Sequence, residues 1–295
     1  MMKSALFIAL AVFAAGFIIV WAREAARAPG KLEWPGPVDY AIGVFVNFLD
    51  TLGIGSFATM SFFFKTFGLV RDEQMPGTLN TAATIPGITE AAIYMAIVDV
   101  DVKTLMLLVG ASVVGAWLGA GVVSRWPRRK IQIGMGCALL ATAAFGLARQ
   151  LHIFPGGGEL LGLTGTKLLV AIVAQAFLGA LMTLGIGFFA PCMMVIFLLG
   201  MNEKTAFPIM MGSVAFLGPV ASIPFIRRGT YNFKVSLGLS LGGIPGVLIA
   251  AYLVRSLPLD AVRWLVVGVV LYTAARMLRS AATESARSKA ATVPV

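Results

Sequence analysis

Asp50 and Glu90 are carboxylates set inside long apolar runs, where a charge is costly and commonly marks a proton or ion pathway. Beside the first stands Thr51-Leu52-Gly53-Ile54-Gly55, a pentapeptide that returns as Thr183-Leu184-Gly185-Ile186-Gly187. Paired glycines reach backbone conformations closed to other residues, so each stretch can break a helix. Irregular backbone at membrane depth survives only where protein or a water-filled cavity satisfies it. A helix restarting at Ser56 or Phe57, and at Phe188 in the second copy, would offer free N–H groups and a positive dipole end to an anion. The competing explanation for the glycines is close helix packing.

The candidate substrate-binding residues are therefore Thr51, Gly53, Gly55, Ser56, Phe57, Thr183, Gly185, Gly187 and Phe188, joined by Asn80, Thr81 and Ser213 from nearby polar runs. Asp50 and Glu90 are the candidate proton carriers. Serine and threonine in membrane helices often bond only their own backbone, so each hydroxyl has that alternative. No catalytic residue is assigned. Cys137 and Cys192 form no CxxC pattern, and the single histidine, His152, stands beside a glycine-rich loop, so neither a metal site nor a cofactor is expected. Cys192-Met193-Met194, Met201, Met210 and Met211 read as adaptable packing before they read as a soft-metal site.

The elements that must hold these groups are helices in a bilayer. Of the 295 residues 59% are hydrophobic and only 12% charged, too few to cover a soluble surface, and mean hydropathy is +0.91. Apolar stretches of 18 or more residues recur, without the alternation of barrel strands. The net charge of +10 sits at the ends of these runs, as topology signals do, which argues against nucleic acid as a partner.

The chain is a duplication. At a fixed offset of 132, Gly53 meets Gly185, Phe57 meets Phe189, Gly68 meets Gly200 and Pro76 meets Pro208. One residue of slippage later Lys103 meets Lys234, Gly115 meets Gly246 and Pro127 meets Pro258. The resulting organisation is a first transmembrane helix and linker over 1–37, repeat one over 38–150, a connecting loop over 151–167, repeat two over 168–280 and a cytoplasmic tail over 281–295. The basic loops are 125–130 in one half and Arg227, Arg228 and Lys234 one span earlier in the other. Placing both in the cytoplasm inverts the halves, with the N-terminus outside and the C-terminus inside. The expected fold is an all-α polytopic membrane protein of inverted-repeat type, with about seven full spans plus two broken or re-entrant hairpins at the pentapeptides.

The duplicated GxG motif, Pro191 after its second copy and the two four-part halves resemble the sulfite exporter TauE/SafE family of anion permeases, over roughly 38–280. The resemblance implies a secondary transporter that moves sulfite, thiosulfate or an organosulfonate across the bacterial inner membrane, coupled to an ion gradient. Many members carry three glycines where this chain has Gly55-Ser56-Phe57 and Gly187-Phe188-Phe189, and Thr59 stands opposite Pro191. The expected partners are a small anionic substrate, the lipid bilayer and protons as coupling ion, and a homodimer is compatible with the pattern. The alternatives are a membrane-embedded enzyme, a redox or metal assembly factor, and a passive anion channel.

Overall fold

The computed structural model describes residues 2–27, 33–151, 153, 158–253 and 271–283. The expected final span of repeat two lies largely outside the described residues, as do His152, Gly156, Gly157 and the tail beyond 283. Among the described residues there are no named strands, and the helices are α1 (Met2–Arg27), α2 (Pro37–Thr51), α3 (Ser56–Phe67), α4 (Met75–Ile97), α5 (Val102–Val123), α6 (Arg128–Gln150), α7 (Gly165–Met182), α8 (Phe189–Leu198), α9 (Ala206–Arg228) and α10 (Phe233–Leu248). A π-helical turn follows over Ile249–Leu253, and 271–283 is helical.

Five of these are long and apolar enough to cross a bilayer: Ser4–Arg27 within α1, α5, α7, α9, and α10 extended to Tyr252. Helices α4 and α6 match them in length at 23 residues each. By contrast α2, α3 and α8 have 15, 12 and 10 residues. At 1.5 Å per residue they reach about 22, 18 and 15 Å, short of a hydrocarbon core of about 30 Å.

The local structure repeats. Each pentapeptide separates two helices, and each following short helix ends at a glycine with positive φ, 64° at Gly68 and 86° at Gly200. A single 3-10 turn comes next, Asp72–Gln74 or Glu203–Thr205, and then a long helix. Further on, Asp101 caps α5 by accepting from Thr104 N–H, and Asn232 caps α10 by accepting from Val235 N–H. Those caps stand at the offset of the Lys103 and Lys234 pair.

Packing crosses between the halves. Helix α2 lies along α10, and α7 lies along α5. The contact at Gly115 is made against the Ala176 carbonyl, and its counterpart at Gly246 against the Val44 carbonyl. In both, a Cβ on the glycine would fall well inside 3.0 Å of the neighbouring backbone, so only glycine lets these helices approach. At the centre α4 packs on its counterpart α9. Gly77 lies against Phe225, Gly218 against Thr84 and Gly87 against Val214, so the two run antiparallel.

A neighbouring helix satisfies the carbonyl that the proline inside α4 leaves free. Pro86 has no N–H to give the Ala82 carbonyl, and the Ser240 hydroxyl of α10 donates to that carbonyl at 3.1 Å. Helix α1 flanks the bundle. Leu6, Leu10, Phe17, Trp21 and Ala25 form its buried stripe, with Phe13 edge-on to Phe216 at 5.2 Å between centroids.

Candidate functional site

Helix α2 ends at Thr51 and α3 begins at Ser56. Between them Gly53 and Gly55 have φ of 78° and 94°, in the region that strongly favours glycine. In the second copy α7 ends at Met182, Gly185 has φ of 104°, and Phe188 is the N-cap of α8. Both pentapeptides thus break the helical path, but what surrounds the two breaks differs.

At the first break the N–H of Ser56 is not free. It donates to Asp50 Oδ1 at 2.7 Å, and the Ser56 hydroxyl donates to Asp50 Oδ2 at 2.8 Å. A buried carboxylate of the chain itself closes the N-terminus of α3. This corrects the expectation that both restarted helices present open N–H groups. The first residue of α3 is taken by the chain's own Asp50 side chain, and an acidic group at that end is what the helix dipole favours.

Glu90 reaches the same break from α4. The Thr51 hydroxyl lies 2.8 Å from Glu90 Oε1 and 2.8 Å from the Asn47 carbonyl. A hydroxyl has one hydrogen and a carbonyl has none. With Glu90 ionised, Thr51 serves only one of the two acceptors. With Glu90 protonated, its O–H donates to Thr51 Oγ1 and both contacts are made. Glu90 Oε2 is buried and has no hydrogen-bond partner among the described residues.

Two residues that sequence reasoning missed complete this break. Tyr94 donates its hydroxyl to the Thr51 carbonyl at 2.9 Å, and its ring stacks on Phe207 with centroids 5.2 Å apart. The Phe207 ring in turn lies against Gly53. Tyr94 is four residues after Glu90, so it shares that helix face, and this spacing was the available signal.

The second break is more apolar. Phe188 and Phe189 are buried, no side chain of the N-cap residue bonds the start of α8, and Met182 occupies the place equivalent to Asp50. Pro191, the third residue of α8, has no N–H to offer. Leu79 and Met135 press on Gly185, while Thr142 faces Gly187. One polar bridge crosses to this break, from Asn80 Nδ2 to the Thr183 carbonyl at 3.4 Å. The Thr183 hydroxyl donates to its own helix at Ala180, as is common.

Thr81 and Ser213 stand 132 positions apart in α4 and α9, and the hydroxyls of both are buried without a hydrogen-bond partner among the described residues. The same holds for the side-chain oxygens of Asn47 and Asn80. Unpaired buried polar atoms are rare in proteins because each costs about 1–3 kcal/mol. In α2, α4 and α9 these atoms belong to the polar interior of the bundle. The structure thus places two hydrogen-bonded pairs at the first break, Asp50 with Ser56 and Thr51 with Glu90, and bonds Asn80 to Thr183 at the second. Phe57 is buried in the core, and Gly55 has open space around its Cα hydrogens. Among the described residues no group of three or more His, Cys, Asp or Glu could hold a metal ion.

A multi-pass helical bundle with two broken helices and a buried polar interior has the form of a membrane permease. The family model described as Sulfite exporter TauE/SafE matches residues 2–146 and 168–295. The chain belongs to that family, whose members are membrane permeases or exporters of sulfur-containing anions. No curated protein and no solved structure matches the chain.

Proposed function

We propose that this chain moves a small sulfur oxyanion, such as sulfite, thiosulfate or an organosulfonate, across the bacterial inner membrane by proton-coupled alternating access. The observation that carries this reading is the Asp50 carboxylate seated on the N-terminus of α3. An external anion and Asp50 compete for one positive helix end. A proton on Asp50 removes the resident charge, weakens the cap and opens the N–H group of Ser56 to the substrate. Proton and anion then load together.

Glu90 is the second proton station, linked to the break through Thr51. The uncapped start of α8, with Asn80, Thr81 and Ser213, forms the other wall of the substrate path. Neutral dipoles and hydroxyls suit a carrier, which must release what it binds. The antiparallel packing of α4 on its counterpart α9 and the crossed pairs α2–α10 and α5–α7 support inverted halves that rock about a central site. The basic loops favour a cytoplasmic C-terminus and an outside N-terminus.

The test is flux of radiolabelled sulfite and thiosulfate into proteoliposomes with and without a pH gradient. Bulky replacements at Gly55 and Gly187 should abolish flux in protein that still folds. Normal gradient-driven flux in both variants would sink the helix-break site.

A further inference from the structure

Away from the breaks, where α3, the first 3-10 turn, α6 and the helical stretch 271–283 meet, lies a cavity of about 250 Å³. Its lining brings together Lys65, Arg71, Arg128 and Arg276 with only two carboxylates, Asp72 and Glu73. Both acids are engaged. Asp72 accepts from Lys65, from Gln132 at 2.7 Å and from Arg128 at 3.3 Å, while Glu73 pairs with Arg71 at 3.6 Å and Arg128 at 3.8 Å. The lining therefore has a surplus of two positive charges.

Arg276 is where that surplus is open. Its guanidinium donates to neutral oxygens, Tyr272 Oη at 3.0 Å and the Lys65 carbonyl at 3.4 Å, and has no carboxylate partner among the described residues. The volume is about eight times the roughly 30 Å³ that one water occupies in the liquid, room for a tetrahedral oxyanion and its first substituent. A planar fork on the wall of such a cavity matches phosphate geometry.

The surroundings identify the source of the anion. A run of aromatic contacts leads away from Arg276: Tyr272 to Phe62 at 5.9 Å, Phe62 to Phe63 at 5.4 Å, and Phe63 to Phe67 at 5.9 Å. Phe67 is 59% exposed and Tyr272 46%. An exposed tyrosine next to basic side chains at a helix end suits the headgroup level of a bilayer, and the phenylalanines beyond it suit the acyl region. We propose that this cavity is a binding site for a phosphate-type oxyanion, supplied by the headgroup of an anionic lipid whose acyl chains lie along the Phe62–Phe67 face. Bound there, the lipid ties α3 to the stretch 271–283, two parts of the chain joined here by Lys65 and Arg276.

The experiment is thermal unfolding of the full chain in detergent with added short-chain phosphatidylglycerol, phosphatidylcholine of the same chain length, or inorganic phosphate. Phosphatidylglycerol should raise Tm by about 3 °C or more over phosphatidylcholine. The double variant Arg71→Gln/Arg276→Gln should lose at least half of that rise, Arg276→Lys should keep most of it, and Arg279→Gln, on the same helix but outside the cavity, should keep all of it. Equal Tm in the two lipids, or a full rise in the double variant, overturns the proposal. So does an equal loss in Arg279→Gln, which would mean attraction to general surface charge. If inorganic phosphate alone gives the same Arg276-dependent rise, the oxyanion site stands and its occupant is a free anion instead of a lipid.

Discussion

Asp50 accepts both the backbone N–H and the hydroxyl of Ser56, so the last turn of α2 caps the first turn of α3 across the glycine break. Asp50→Asn keeps the shape of that cap but removes its charge. In the proposed cycle the variant should still bind anion while its flux loses dependence on a pH gradient, which proteoliposome measurements at matched and unmatched pH would read. Ser56→Ala loses only the hydroxyl contact and should cost about 1 kcal/mol of stability with coupling intact.

Glu90 and Thr51 make the second test. Glu90→Gln can still donate to Thr51 but cannot exchange a proton, so transport should become insensitive to pH in the range where the wild type responds. Thr51→Val removes the hydroxyl both partners use. A double-mutant cycle of Thr51→Val with Glu90→Ala, which removes the contact that glutamine would keep, should give a coupling energy of about 1 kcal/mol in thermal or chemical unfolding. Strict additivity would show that the contact is not made.

The helix glycines are predicted to fall into two groups. Gly115→Ala and Gly246→Ala force a carbon into the Ala176 and Val44 carbonyls, and each should destabilise by about 1–3 kcal/mol as the helices are pushed apart. Because the two contacts are counterparts, the losses should be similar. Gly110→Ala meets nothing within 4 Å and should leave Tm unchanged or slightly raised.

Asp72 lies in the turn between α3 and α4. Its burial alone would raise its pKa, but the hydrogen bonds from Lys65 and Gln132, the Lys65 charge and the Arg128 hydrogen bond together hold it below the ordinary value of 3.8. A carboxylate with a depressed folded pKa stabilises the fold fully above its unfolded value and loses that contribution as pH falls through the folded one. Wild-type stability should therefore fall more steeply than that of Asp72→Asn as pH drops below 3.8, and the two curves should run parallel above pH 6. Parallel curves throughout would show that Asp72 gains nothing from its partners.

What could be read from the residues alone was whatever depends on local chemistry. A helical membrane protein follows from composition, and the breaks at Gly53, Gly55 and Gly185 follow from what glycine permits. The Asp101 and Asn232 caps sit where the offset of the Lys103 and Lys234 pair puts equivalent residues, and the 3-10 turns fall within one residue of the offset of 132. What depends on tertiary approach was hidden. Nothing in the spacing of Asp50 and Ser56 says that the break folds back far enough for one to cap the other. Lys65 stands in an apolar run with no acid within six residues of it in sequence, yet only 12% of its side chain is exposed and it pairs with Asp72 seven residues on. The glycines themselves carry both explanations weighed from the sequence, backbone conformation at Gly53 and close packing at Gly115, and only three dimensions assign each to its glycine.

The crossed pairing of α2 with α10 also bears on how the chain is made. Gly43 lies against Leu239, almost 200 residues later in synthesis. At about 5–20 residues per second, α2 emerges roughly 10–40 s before the surface that will cover it. Helix α5 has no such wait, since α7 follows it closely. The first break, with its buried Asp50, must therefore be sheltered by lipid, by the insertion machinery or by a provisional neighbour until α10 has been made.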